Sequence, residues 1–338
     1  MPQPFGGTSV FMSIQPPMRS LLDAALDRTI VGGYSRIGYR LRRSAWGDNP
    51  QDPQPGALGG RTALVTGANR GIGKAVAAGL ARLGATVLLT VRDRDNGERA
   101  RAEILESQPG ADVRVEVCDV SDLATVRAFA TDVSGRVAKL DVLIHNAGVL
   151  PPTRTETADG HELSLATHVL GPVLLTELLV PVLAAAGDPR VIVMSSGGMY
   201  TQALPVGDPE YRDGRYSGVT AYARSKRIQV ALTGILARRW GPRGIRVYCM
   251  HPGWADTPGV ADALPGFRMI TGPILRTAEE GADTALWLAA TDPAPPAGGF
   301  WHDRRPRPEH YLPWTRYGDG DRERVWRYCA AAAGIEEP

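Results

Sequence analysis

Several things are scarce in this sequence, and each shortage removes a class of function. Cysteine occurs three times in 338 residues, at Cys118, Cys249 and Cys329. An odd number of widely separated thiols gives no disulfide framework and no metal-ligand spacing, and it suits a reducing compartment. Neither sign of charge is in excess: 38 Lys and Arg face 36 Asp and Glu, a net charge of +2. Nucleic acid is therefore not an expected partner. No run of about 18 apolar residues marks a membrane span. The opening stretch MPQPFGGTSVFMSIQPPMRS lacks the charged start and long apolar segment of a secretory signal. A cytoplasmic protein is the expectation. What is plentiful is core material, with 43% hydrophobic residues.

Residues 1–56 read as an N-terminal extension in three parts. Residues 1–20 are rich in Pro, Gly and Ser and predict disorder. Residues 21–46 carry a helical rhythm at Leu22, Leu26, Ile30, Ile37 and Leu41, interrupted at Gly32–Gly33 into two short helices. Arg36, Arg40, Arg42 and Arg43 follow with no acid among them. That suits peripheral contact with an anionic membrane surface, and equally packing onto the main domain or a partner subunit. Residues 47–56 are a linker of turn formers.

From Gly59 short β-rich runs alternate with helical ones. Strands are predicted at 62–66, 86–91, 113–117, 141–145, 190–195 and 245–250, with a last short one at 299–302. Most are apolar along their whole length, as strands covered on both faces must be. Helices are expected between them, for example Ile72–Leu83 and Leu123–Val137. The fold class is α/β: a Rossmann-type doubly wound parallel sheet, one domain over 57–315, then a C-terminal tail at 316–338.

Directly after the first strand comes TGANRGIGKA, containing Thr66, Gly67, Asn69, Arg70, Gly71, Ile72 and Gly73. Glycines between a strand and a helix let the chain turn sharply and let a helix start approach a pyrophosphate. A structural turn is the plainer alternative, but the strand–loop–helix context favours a dinucleotide. The second strand ends in TVLLTVRDRD, so Val91 stands where an acid would bind the ribose of NAD, and Arg92 follows. Arg70 and Arg92 suit a 2′-phosphate, which favours NADP(H) over NAD(H), although Asp93 opposes them.

Later in the chain YARSK places Tyr222 and Lys226 four residues apart, on one face of a helix. Alone, such a pair is as readily a surface contact. The ordered set TGANRGIG, CDVSD, HNAG, MSSGGM, YARSK and HPGWADTPG, however, resembles the short-chain dehydrogenase/reductases over about residues 58–302. The resemblance implies an oxidoreductase acting on a small-molecule carbonyl or alcohol, with no metal, in a homo-oligomer. It makes Tyr222 the general acid/base, Lys226 the cation that favours its phenolate and Ser196 the donor to the substrate oxygen. It places Asp119 and Val120 at the adenine, and Asn146, Ala147 and Gly148 along the dinucleotide. Pro252, Gly253 and Thr257 go to the nicotinamide, and Lys226 also to its ribose. His145, where the family has Asn, reads as a core residue.

One departure stands out. In SLATHVLGPVLL, His168 occupies the place of the family's helical Asn, whose carbonyl holds a water that bonds the lysine. Pro172 has no N–H to give the carbonyl four residues earlier, so it would leave that acceptor free. The expectation is that His168 and Pro172 together preserve the relay; the opposing reading is decay toward a weak enzyme, or toward a dinucleotide-binding sensor or scaffold. The loop over 255–273, with Leu264, Phe267, Met269 and Ile270, leans toward a lipophilic substrate. Trp301, Tyr311 and Trp314 would close either the pocket or a subunit contact.

Overall fold

The computed structural model describes residues 23, 25–46, 51–256 and 272–336. The expected disordered start, the lipophilic residues of the 255–273 loop and Thr257 lie outside these described residues. In chain order come helices α1 (Ile30–Tyr34) and α2 (Arg36–Trp46), strand β1 (Thr62–Thr66), α3 (Gly71–Arg82), β2 (Thr86–Val91) and α4 (Arg94–Ser107). Next are β3 (Val113–Val117), α5 (Leu123–Arg136), β4 (Val142–His145), α6 (Leu163–Ala184), β5 (Arg190–Met194) and α7 (Gly218–Trp240). The chain continues through β6 (Arg246–Met250), α8 (Ala278–Ala290), β7 (Phe300–His302), β8 (Arg305–Pro306) and α9 (Asp319–Ala332).

The strands form one sheet in the order β3-β2-β1-β4-β5-β6-β7-β8, parallel except for the last pair. Strands β1, β2, β4 and β5 are apolar and buried on both faces because helices cover both sides. β3, at the edge, alternates instead and leaves Arg114 and Val117 exposed. One core gathers Leu64, Leu143, Val191 and Val247 against α5, α6, α7 and α9; the other gathers Val65, Ile144, Ile192 and Tyr248 against α3 and α8. Gly79 of α3 meets Leu286 of α8 so closely that a Cβ there would lie 2.4 Å from Leu286 Cδ1. Helix α6 is apolar and long enough to cross a membrane, yet 83% of its most apolar window is buried, so it is the core helix of the first layer.

Two expectations are corrected. The breaks in the extension fall at Arg28, Thr29 and Ser35 rather than at Gly32–Gly33; of the placements the sequence left open, the described residues pack on the main domain. Tyr39, Arg42 and Trp46 are buried, and Arg36 and Arg40 reach Glu280, the residue that completes the capping box of α8 with Thr277. Ile37 and Leu41 remain exposed on α2.

The C-terminal residues are no tail: α9 inserts Val325, Trp326, Cys329 and Ala330 into the α5–α7 core. Trp301, left open by the sequence between a pocket and a subunit contact, stands in the opposite core between Trp287 and Tyr248. Trp326→Ala should therefore cost about 3–5 kcal/mol in urea unfolding, as removal of a buried Trp does. A loss below about 1 kcal/mol would mean that α9 is peripheral after all.

Candidate functional site

In the sheet, β1 is flanked by β2 on one side and β4 on the other, so the direction of strand order reverses there. Open parallel sheets take their ligands in the crevice at that point, outside the carboxyl ends of the strands. The glycine loop lies in it. Gly67 has φ +64°, and a Cβ on it would sit 2.7 Å from Ala147 Cα. A Cβ on Gly73 would sit 2.3 Å from both Asn146 Nδ2 and the Gly67 carbonyl. The loop is held to β4 from both sides. Asn146 Nδ2 donates to Thr66 O and Gly67 O, both at 3.0 Å, and Thr66 Oγ1 accepts the amides of Asn146 and Ala147 at 3.1 Å.

Helix α3 then begins at Gly71 with no side-chain cap and no acid in its first turn. Unsatisfied amides and the positive end of the helix dipole suit a phosphate there. The residues present thus fit a dinucleotide.

At the end of β2, Val91 is buried while Arg92 is exposed, as is Arg70 in the loop that follows the neighbouring strand β1. Asp93, which counted against a 2′-phosphate, is the N-cap of α4: its carboxylate accepts the Asn96 amide at 2.8 Å. Asp119 Oδ1 accepts from the Ser121 amide and hydroxyl at 2.9 and 2.7 Å, which fixes the turn after β3, with Val120 buried beside it.

The predicted catalytic side chains converge at the ends of β5 and α7. Ser195 turns away and donates to the Lys226 carbonyl at 2.9 Å. Ser196 Oγ accepts the Gly198 amide at 3.2 Å and lies close enough to Tyr222 to lower its pKa. Tyr222 is half-buried; desolvation raises its pKa and the neighbouring Ser196 hydroxyl opposes that rise. Lys226 is buried, with Nζ 5.4 Å from the Tyr222 ring centre and donating to Met194 O at 2.8 Å. Burial lowers its pKa to about 7. A lysine this close to losing its charge in a cleft is the kind of perturbed group that functional sites collect.

His168 lies in a π-helical turn, Ala166–Leu170, just ahead of Pro172. The missing proline N–H does free the His168 carbonyl from the helix, but Gln229 Nε2 donates to it at 2.7 Å. The acceptor assigned to a relay water is thus shared with a side chain. The ring has its own task. Nε2 accepts the Val149 amide at 3.0 Å, so Nδ1 carries the proton and donates to Ser225 Oγ at 2.7 Å. His168 so ties the loop after β4 to the helix bearing Tyr222, whose ring it meets edge-on at 5.2 Å. His145 donates from Nε2 to Thr176 Oγ1 at 2.8 Å and is a core residue.

Pro252 and Gly253 follow β6, and there the structure adds residues that the motifs did not signal. Tyr34 and Arg276 flank this loop, Arg42 stands behind them on Gly33 O and Asp303, and Tyr34 also packs on Gly197 beside Ser196. Only the aromatic residue after Gly32–Gly33 hinted at them. Tyr200, Tyr211 and Tyr216 give their hydroxyls to Pro308 O, Arg215 O and Glu162 respectively, as structural groups.

The profile of the family described as short chain dehydrogenase matches residues 61–265. The chain is 42% identical over 287 residues to dehydrogenase/reductase SDR family member 12 of Bos taurus, covering 84% of this chain and 88% of that one. It is 35% identical to human retinol dehydrogenase 12, covering 82% and 88%. Among solved structures it resembles an uncharacterized protein from Mycobacterium paratuberculosis at TM-score 0.67 and 30% identity, covering 85% and 99%. It also resembles a short chain dehydrogenase from Escherichia coli CFT073 complexed with NADPH at TM-score 0.62 and 26% identity, covering 75% and 100%.

The geometry predicts a pH response. His145, His168, His251 and His302 are buried, and burial lowers all four pKa values, those of His145 and His302 to about 3. An unfolded histidine titrates near 6.5, so below that pH the unfolded chain binds protons that the folded one refuses. Stability should fall gently from pH 8 to 7, where folded Lys226 still refuses much of the proton that the unfolded chain binds, and more steeply below 7. By pH 5 about four protons should be taken up on unfolding, at about 1.4 kcal/mol per pH unit each. Urea midpoints that do not change between pH 7 and 5 would contradict these assignments.

Proposed function

The chain belongs to the short-chain dehydrogenase family, and we propose that it is an NADP(H)-dependent reductase or dehydrogenase of lipophilic carbonyls and alcohols. One observation carries this: Ser196, Tyr222 and Lys226 meet beside an uncapped, glycine-lined helix start at the point where strand order reverses. When bound, the cofactor supplies the hydride that reaches the carbonyl carbon. Thr66, Gly67, Asn69, Arg70, Gly71, Ile72 and Gly73 would hold its pyrophosphate side, with Arg70 and Arg92 on the 2′-phosphate and Asp93 withdrawn into its capping bond. Asp119 and Val120 would line the adenine, and Asn146, Ala147 and Gly148 the crevice floor. Pro252, Gly253 and Thr257 would stand at the nicotinamide.

In the reductive direction Tyr222 gives its proton to the substrate oxygen. Its phenolate is then stabilised by the Lys226 charge and by the Ser196 hydroxyl. Ser196 is set for this, because the Gly198 amide occupies one of its lone pairs and leaves its proton to donate. His168 is a positioning residue that fixes α7 rather than a proton donor. The lipophilic substrate class is supported by the likeness to retinol dehydrogenase 12.

Tyr222→Phe should lower turnover of an aldehyde panel by about 10²–10⁴-fold, the usual worth of a general acid. Its NADPH dissociation constant should stay within a few-fold of wild type. Tight binding with no turnover by the wild type on any substrate would favour a non-catalytic sensor. Arg92→Ala should weaken NADPH by about tenfold or more while leaving NADH nearly unchanged, since one charged hydrogen bond contributes roughly 1.5–3 kcal/mol. An equal effect on both nucleotides would remove the argument for NADP(H).

A further inference from the structure

The geometry points to the N-terminal extension as part of the nicotinamide-side wall, with Tyr34 and Arg42 as positioning residues for the His251–Trp254 loop. This rests on the dinucleotide reading above, in which that loop meets the nicotinamide.

Helix α1 ends at Tyr34, so its last carbonyls need donors from elsewhere. They find them at the loop. The Trp254 amide donates to Tyr34 O at 2.8 Å, and Arg276 Nε donates to the same oxygen at 3.0 Å. Gly33 O accepts from Arg276 Nη2 at 3.1 Å and from Arg42 Nη1 at 2.8 Å, and His302 Nε2 lies 3.0 Å away. Arg276 Nη1 also reaches Pro252 O at 3.3 Å. Gly253, with φ +78°, is pressed against this guanidinium; a Cβ there would sit 2.4 Å from Arg276 Nε.

Both arginines share one buried anion. Asp303 takes Arg276 at 2.6 and 3.0 Å through its two oxygens, and Arg42 at 2.7 Å. Asp303 is delivered by the β7–β8 hairpin, whose central residues Asp303 and Arg304 both have positive φ, +49° and +57°. A two-residue turn of that kind normally calls for Asn-Gly, so two side chains here hold a costly backbone. Arg304 is held in turn by Asp283 at 2.8 and 2.6 Å. Removing Arg42 would leave Asp303 with one guanidinium fewer in a site without solvent, so the extension is part of the cluster's charge balance.

The Tyr34 ring adds shape to this frame. It lies between the two walls of the site, edge-on to His251 at 4.7 Å and to Trp254 at 6.1 Å, and against Gly197, where a Cβ would approach its ring to 3.0 Å. One side chain from the extension thus spaces the Ser196–Gly197 turn from the loop after β6. Loss of the ring should let that loop relax while the adenine half, some strands away along the sheet, keeps its form.

The test compares two ligands on the full-length protein by calorimetric titration: NADPH, and adenosine 2′,5′-bisphosphate, which has no nicotinamide. Tyr34→Leu should weaken NADPH about tenfold or more and leave the bisphosphate within twofold. Tyr34→Phe should match wild type for both. Arg42→Met should show the same selective loss as Tyr34→Leu, from the other end of the contact. Unchanged NADPH affinity in both Tyr34→Leu and Arg42→Met would overturn the inference. Equal loss of both ligands in both variants would also overturn it, since the extension would then act on the fold as a whole. Wild-type protein that binds neither ligand would sink the dinucleotide reading, and this inference with it.

Discussion

The site depends on how closely the end of β1 can approach the end of β4. Asn146 donates two hydrogen bonds to Thr66 across that gap, and Gly67 has no Cβ to collide with Ala147. The contact sets the glycine turn, the turn sets where α3 begins, and the open amides of α3 face the crevice. On the other side of β4, β5 brings Ser196 and α7 brings Tyr222 and Lys226 to the same edge of the sheet. A larger residue at position 67 or 73 would move the cofactor cradle away from these side chains rather than merely crowd a loop.

Around the crevice the fold accepts groups that cost stability. Lys226 is buried with a carbonyl as its hydrogen-bond partner, and desolvation brings its charge close to loss at neutral pH. Histidines are held neutral in the interior, His168 and His251 by accepting a backbone amide on a ring nitrogen and His145 by burial. Such sites trade stability for chemistry or for positioning. His168 is the clearest example, because a single ring connects the loop after β4 to α7 through both nitrogens. An asparagine has a shorter side chain and would not span the same two partners in the same way. The His–Pro pair is therefore a different solution to orienting the helix, with Gln229 attached to the carbonyl that the proline frees.

Much of this was legible in the sequence, and the reason is locality. Strands buried on both faces are continuous apolar runs, and the strands fall within a residue or so of those runs. The glycine loop, the Tyr222–Lys226 pair and the strand-end motifs are contiguous, so their spacing carries their geometry. Interactions over long distances along the chain were not legible. Arg42 and Asp303 are 261 positions apart, and nothing near either one signals the other. Arg227, next to Lys226, is fully buried and holds Glu309 O and Thr315 O, contacts of the same non-local kind. Helix α9 passed for a tail because charged residues fill its first turns and its apolar face is only four residues. The Arg-rich extension was open between a membrane surface and the domain. The deciding carboxylates, Glu280 and Asp303, lie at the other end of the chain.

The central claim is that this crevice moves hydride between a nicotinamide and a carbonyl carbon. Its most direct measurement is isotopic. The protein is incubated with NADPH deuterated at C4 and a series of lipophilic aldehydes, and the alcohols are analysed by mass spectrometry. The account predicts one deuterium on the carbinol carbon of at least one product, lost when Tyr222 is replaced by Phe. Bound NADPH with no deuterium transferred to any aldehyde would contradict it.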